Sequence, residues 1–100
     1  MVKHIVMWRL KEEVAGNTKS ENISLIIGML NELASIVREI ESLELGENFN
    51  ASEAAFDLVL ITTHKDRDSL KKYMAHPEHQ KIASFIRGVV EERKVVDFEY

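Results

Sequence analysis

Two of the four histidines, one of the two tyrosines and the only proline fall within Tyr73-Met74-Ala75-His76-Pro77-Glu78-His79-Gln80. Imidazole titrates near neutrality and serves as a general base, and a phenol donates a hydrogen bond to a developing enolate. Together they suit abstraction of a proton next to a carbonyl, with His79 as base and Tyr73 as its partner. His79 falls at about the third position of a helix opened by Pro77, where the helix dipole disfavours an imidazolium. Glu78 pulls the other way. The same residues fit a purely structural purpose: His76 caps the helix, Pro77 starts it, and Tyr73 and His79 fix the junction by hydrogen bonds. His76-x-x-His79 with Glu78 has the outline of a metal motif. Zinc, however, needs three or four converging ligands, and His76 lies outside the helix that carries His79. His64 stands on another segment with no paired ligand, so neither a metal nor any other cofactor is expected.

The break itself follows from proline, which pushes the residue before it out of the α region. One helix, capped by Asp66 or Asp68, should run through Leu70, Tyr73 and Met74 and stop at His76. A second should start at Pro77 and bury Ile82, Phe85, Ile86, Val89 and Val90. Upstream, Val2 to Leu10 reads as a strand, with Val2, His4, Val6, Trp8 and Leu10 on one face and Lys3, Ile5, Met7 and Arg9 on the other. Gly16-Asn17-Thr18 reads as a loop. Ser20 or Asn22 is placed to cap a long helix whose stripe is Ile23, Ile26, Ile27, Leu30, Leu33, Ala34, Val37 and Ile40. Gly28 within it costs about 1 kcal/mol relative to alanine; it is either a tolerated surface glycine or a point of close packing, and the pattern leaves both open. Leu43 to Phe49 suits a strand with a bulge at Gly46. Phe56 to Thr63 is the strongest strand pattern in the chain, and Lys94 to Tyr100 makes the last strand.

The order is β-α-β-β-α(α)-β, the split βαβ or ferredoxin-like pattern: an α+β fold with helices on one face of a four-stranded antiparallel sheet. The chain of 100 residues suits one domain over 1–100. Two strands are apolar on both faces, so the face without helices keeps uncovered apolar area. At about 25 cal/mol per Å2, a patch of several hundred Å2 favours association by several kcal/mol. A homodimer closed sheet to sheet is therefore expected. A net charge of −4 with 13 scattered basic residues argues against nucleic acid or an anionic membrane as partner. The mixed clusters Lys65-Asp66-Arg67-Asp68 and Glu91-Glu92-Arg93-Lys94 read as solvated caps and turns. With no cysteine, no span-length apolar run and a first apolar stretch too short for a signal peptide, a cytoplasmic protein is expected.

Lys3-His4-Ile5-Val6, Phe56-Asp57-Leu58-Val59-Leu60, Tyr73-x-x-His76-Pro77-Glu78-His79-Gln80 and Val95-Val96-Asp97-Phe98 together resemble the Dabb family, the stress-responsive dimeric α+β barrel domains. The Tyr-x-x-His-Pro-x-His segment is the most specific part of the match. The resemblance implies a ferredoxin-like protomer whose sheet packs against a second copy to enclose a barrel. Many members have no known activity. The branch that includes olivetolic acid cyclase closes a linear polyketide without metal or cofactor, and its working Tyr and His correspond to Tyr73 and His79. The histidine of its first strand, His4 here, borders its pocket. Trp8 brings a larger ring to that wall, and Lys81 and Ala83 replace small glycines after the motif. The implied function is binding of a small hydrophobic ligand in a pocket formed by His4, Val6, Trp8, Val59, Ile61 and His76 beside the Tyr73 and His79 pair. The alternative is cofactor-independent, polyketide-cyclase-like or other proton-transfer chemistry. A lone histidine or tryptophan on an apolar strand face is more often simply core.

Overall fold

The strand β1, Val2–Leu10, buries every second residue, as its alternation requires. In the computed structural model, which describes residues 1–100, β1 lies at the centre of a four-stranded antiparallel sheet of order β4-β5-β1-β6. Its neighbours are β5, Leu58–His64, and β6, Val90–Glu99. The edge strand β4 is Ser42–Glu47. Registers run from Val2 opposite His64 to Trp8 opposite Leu58 on one side, and place Asp97 opposite His4 and Arg93 opposite Trp8 on the other. Directly opposed residues share a face. Val2, His4, Val6, Trp8 and Leu10 therefore form one buried surface with Leu58, Leu60 and Thr62.

All three helices cover that surface: α1, Lys19–Ile36; α2, Arg67–Ala75; and α3, Pro77–Val89. α1 contributes Ile23, Ile26, Leu30 and Leu33 to the core, and α3 contributes Ile82, Ile86 and Val89. Fourteen buried apolar or aromatic side chains make one cluster, with Tyr73 of α2 among them. The opposite face of the sheet has no helix. Met7, Val96 and Phe98 are exposed there, and Ile5, Val59 and Ile61 are half-buried.

Local chemistry moves several boundaries from their sequence-based positions. Glu13–Val14 and Asn17–Thr18 form a two-strand hairpin, β2 and β3, around Ala15 and Gly16, both at positive φ. Two positive φ values in a two-residue turn match the right-handed twist of the flanking strands. Thr18, not Ser20 or Asn22, caps α1: its hydroxyl accepts the Glu21 N–H while the Glu21 carboxylate accepts the Thr18 N–H, a reciprocal capping box. β4 stops at Glu47 because Asn48 turns the chain through hydrogen bonds to Asn50, leaving Phe49 fully exposed. Gly46 is not a bulge. Its register with Val59 is unbroken, and a Cβ there would meet Val59 Cγ1 at 3.0 Å, so glycine makes room for that side chain. β5 begins two residues late. Asp57 accepts the Leu10 N–H at 2.8 Å and pairs with Lys19 at 3.2 Å, tying the strand entrance to the end of β1 and the start of α1. β6 begins at Val90, immediately after α3, and takes in the charges Glu91 to Lys94; an edge strand tolerates charge on its solvated side. Gly28 is an exposed glycine with open space around it.

Candidate functional site

Proline decides the geometry of the helix junction. His76 is extended (φ −61°, ψ 134°), Pro77 holds the first position of α3, and the His76 Nδ1 accepts the Glu78 N–H at 3.1 Å. The chain turns so sharply that the Met74 carbonyl lies within reach of the first turn of α3. It accepts the His79 Nδ1–H at 3.0 Å and the Gln80 side-chain amide at 2.7 Å. Because that carbonyl only accepts, the proton of neutral His79 sits on Nδ1 and the Nε2 lone pair is left free. His79 thus fixes the junction with one nitrogen and keeps the other available. Burial holds its pKa below the ordinary histidine value, and the charges of His4, Arg93 and Arg87 push in the same direction, against the Met74 bond. Burial is the largest cause of that lowering.

The Tyr73 carbonyl accepts the His76 N–H at 3.2 Å, but the side-chain hydroxyl does not help fix the junction. Tyr73 is wholly buried, and its hydroxyl has no hydrogen-bond partner. Three imidazoles surround its ring: His79 edge-on at 4.6 Å, His64 tilted at 5.0 Å and His4 edge-on at 6.2 Å between centroids. Burial pushes the Tyr73 pKa up to about 12, with the Arg93 charge opposing. The phenol therefore stays protonated at neutral pH and is a donor without an acceptor.

His4 reaches across to β6, where the Asp97 carboxylate accepts from its Nδ1. The His4 Nε2 has no protein partner. His64 is used up internally: Nδ1–H donates to the Glu39 carbonyl at 2.9 Å, and the Thr62 hydroxyl lies 2.9 Å from Nε2. Its burial lowers its pKa as well.

A cavity of about 390 Å3 lies between the helices and the sheet. His4, Val6, Trp8, Tyr73 and His79 line it, together with Leu30 and Leu60 from below and Ile82, Ile86, Arg87 and Arg93 around the rest. Three residues expected in this wall stand elsewhere. Val59 and Ile61 point to the helix-free face, because a one-residue step along a strand reverses the side chain, and Val59 lines a separate hollow beside Met7 and Phe56. His76 is spent on its cap. His76 and His79 therefore do not converge, and no group of three or more His, Asp or Glu side chains is arranged to hold a metal ion. Sequence reasoning missed His64, Asp97, Arg87 and Arg93. His64 was findable, since it continues the Leu58, Leu60, Thr62 alternation by one step. The other three depend on the pairing of β6 with β1 and on the rotation of α3.

Fold and site together define a ferredoxin-like α+β protein with a cavity lined by His4, Tyr73 and His79 under its helices. The same architecture occurs in a dimeric ferredoxin-like protein of unknown function from Thermobifida fusca (TM-score 0.85, 20% identity, covering 99% of this chain and 90% of that one). It occurs also in a dimeric protein of unknown function from Bacteroides fragilis (TM-score 0.79, 27% identity, 99% and 95% covered). A third likeness is to the hydroxynitrile lyase of Passiflora edulis (TM-score 0.83, 20% identity, 97% and 90% covered). Residues 2–100 match the stress-responsive A/B barrel domain, and the chain belongs to that family, Dabb. No helix is long and apolar enough to cross a membrane.

Proposed function

We propose that this Dabb domain binds a small, largely apolar molecule in the cavity beneath α2 and α3, with Tyr73 donating a hydrogen bond to the ligand's carbonyl. The unpartnered Tyr73 hydroxyl carries this reading. Buried polar groups are nearly always bonded, and one left without a partner costs about 1–3 kcal/mol. A carbonyl ligand supplies the missing acceptor, and the apolar lining accommodates the ligand's body.

A second reading is cofactor-independent proton transfer, as in the olivetolic acid cyclase branch. The free Nε2 of a neutral, partly buried His79 favours it: His79 takes a proton from carbon next to the carbonyl, and Tyr73 stabilises the enolate oxygen. One like-folded protein carries the name of an enzyme, a hydroxynitrile lyase, which is compatible with chemistry on this scaffold. The active form is a cytoplasmic homodimer in which the helix-free faces meet, burying Met7, Val96 and Phe98 of each copy. The dimeric neighbours support a homodimer.

Acetophenone, a small neutral ketone, tests both readings. Titration followed by NMR is expected to shift the signals of His4, Tyr73 and His79 in the wild type, with about tenfold weaker binding to Tyr73→Phe. In D2O, faster exchange of its methyl protons in the wild type than in His79→Gln supports proton transfer. Binding without exchange leaves the protein a binder. No shift at any of the three residues removes the pocket reading.

A further inference from the structure

We infer that the cavity's ligand carries an anion, a carboxylate or a group like it, held at the solvent side by Arg87 and Arg93. The inference deepens the pocket reading above and rests on it. Both arginines line the cavity and both are exposed, whereas His4, Tyr73, Leu30 and Leu60 on the inner wall are buried. They come from different elements, the last turn of α3 and the start of β6. Neither guanidinium makes a hydrogen bond or an ion pair with the protein, whereas six of the other eleven lysines and arginines pair with an acid: Lys19, Arg38, Arg67, Lys72, Lys81 and Lys94. The chain carries a net charge of −4, yet no aspartate or glutamate lines the cavity, and its only fixed charges are these two cations. Both arginines line the same cavity as Tyr73 and His79, and the Arg93 charge acts on both groups and the Arg87 charge on His79. A guanidinium presents a planar fork that matches a carboxylate with two parallel hydrogen bonds.

The register leaves this end accessible in a dimer. Arg93 opposes Trp8, so it stands on the helix side of the sheet, away from the apolar face that carries Met7 and Phe98. The ligand so described has three parts: an apolar body for the floor, a carbonyl for Tyr73 and an anionic tail for the arginines. A keto acid with an apolar body has this form.

The test compares 4-oxo-4-phenylbutanoate with its methyl ester and with acetophenone, by calorimetry and NMR at low and moderate salt. The acid is expected to bind the wild type at least tenfold more tightly than the ester, and to lose that advantage in Arg87→Gln/Arg93→Gln and at raised ionic strength. Ester binding in the double variant should stay at the wild-type level, which shows that the cavity is intact. If the ester binds as tightly as the acid while acetophenone still shifts Tyr73 and His79, the anion preference is wrong and the pocket reading survives. If neither keto compound nor acetophenone shifts those residues, both fall. An acid advantage unchanged in the double variant refutes the assignment to these arginines.

Discussion

Replacing Tyr73 with phenylalanine removes one oxygen from a fully buried ring and leaves its contacts with His4, His64 and His79 in place. In a typical core tyrosine the change breaks a hydrogen bond and lowers stability. Here the hydroxyl bonds to nothing, so the folded state bears its desolvation without compensation. That penalty is about 1–3 kcal/mol. The void left by one oxygen, at about 24 cal/mol per Å3, gives back only a few tenths of a kcal/mol. The net expectation is a gain of about 1 kcal/mol or more. For a domain of this size that raises Tm by roughly 4–8 °C per kcal/mol. Thermal unfolding by circular dichroism, backed by urea denaturation with unchanged m-value, reads it directly. The same variant is expected to lose ligand affinity, so stability and binding move in opposite directions, as they do when a site holds a group for its ligand. A Tm drop of several degrees would mean that the hydroxyl is bonded in the folded protein. The case for a ligand acceptor at Tyr73 would then collapse.

Acid should destabilise the fold through His79 and His64. Burial depresses both pKa values, so the unfolded chain binds more protons than the folded one below the ordinary histidine value of about 6.5. Stability is complete above that pH and falls as pH drops toward the folded values; Tm measured from pH 8 to 5 should show this, with a shallower slope in His79→Gln. Gly28→Ala is expected to raise stability by up to about 1 kcal/mol, because the position is helical, exposed and uncrowded, and a loss on urea denaturation would contradict that. Thr18→Ala should cost about 1 kcal/mol by deleting one half of the capping box, measured the same way. Val96→Asp places a charge on the helix-free face and should convert a dimer to a monomer in sedimentation equilibrium; a wild type that is already monomeric at micromolar concentration refutes the sheet-to-sheet pairing.

Strand and helix types were legible because they are local. The alternation from Val2 to Leu10 set β1 to the residue, and the single proline set the α2–α3 break and made His76 the cap. The Tyr73, His76, Pro77, His79 spacing also brought Tyr73 and His79 together at the junction. Other features needed the chain folded. The Thr18 box and the Asn48 turn outcompeted plausible neighbours through hydrogen bonds that several residues were equally suited to make. His4, Val6 and Trp8 line the cavity, whereas Val59 and Ile61 are apolar like Val6 but stand one step out of phase. Hydrophobicity does not record which side of a two-faced strand a helix will cover.

The sequence by itself determined the order of the main helices and sheet strands, the central strands and the nearness of Tyr73 to His79, since periodicity and proline act within a few residues. Only the tertiary structure decided that Tyr73 would sit among three imidazoles with its hydroxyl unmatched, that Asp97 would meet His4, and that Arg87 and Arg93 would border one cavity. These placements follow from the register of β6 on β1 and the packing of α3 on the sheet. Strand register and helix rotation are fixed by contacts between residues far apart in the chain, and no local pattern encodes them.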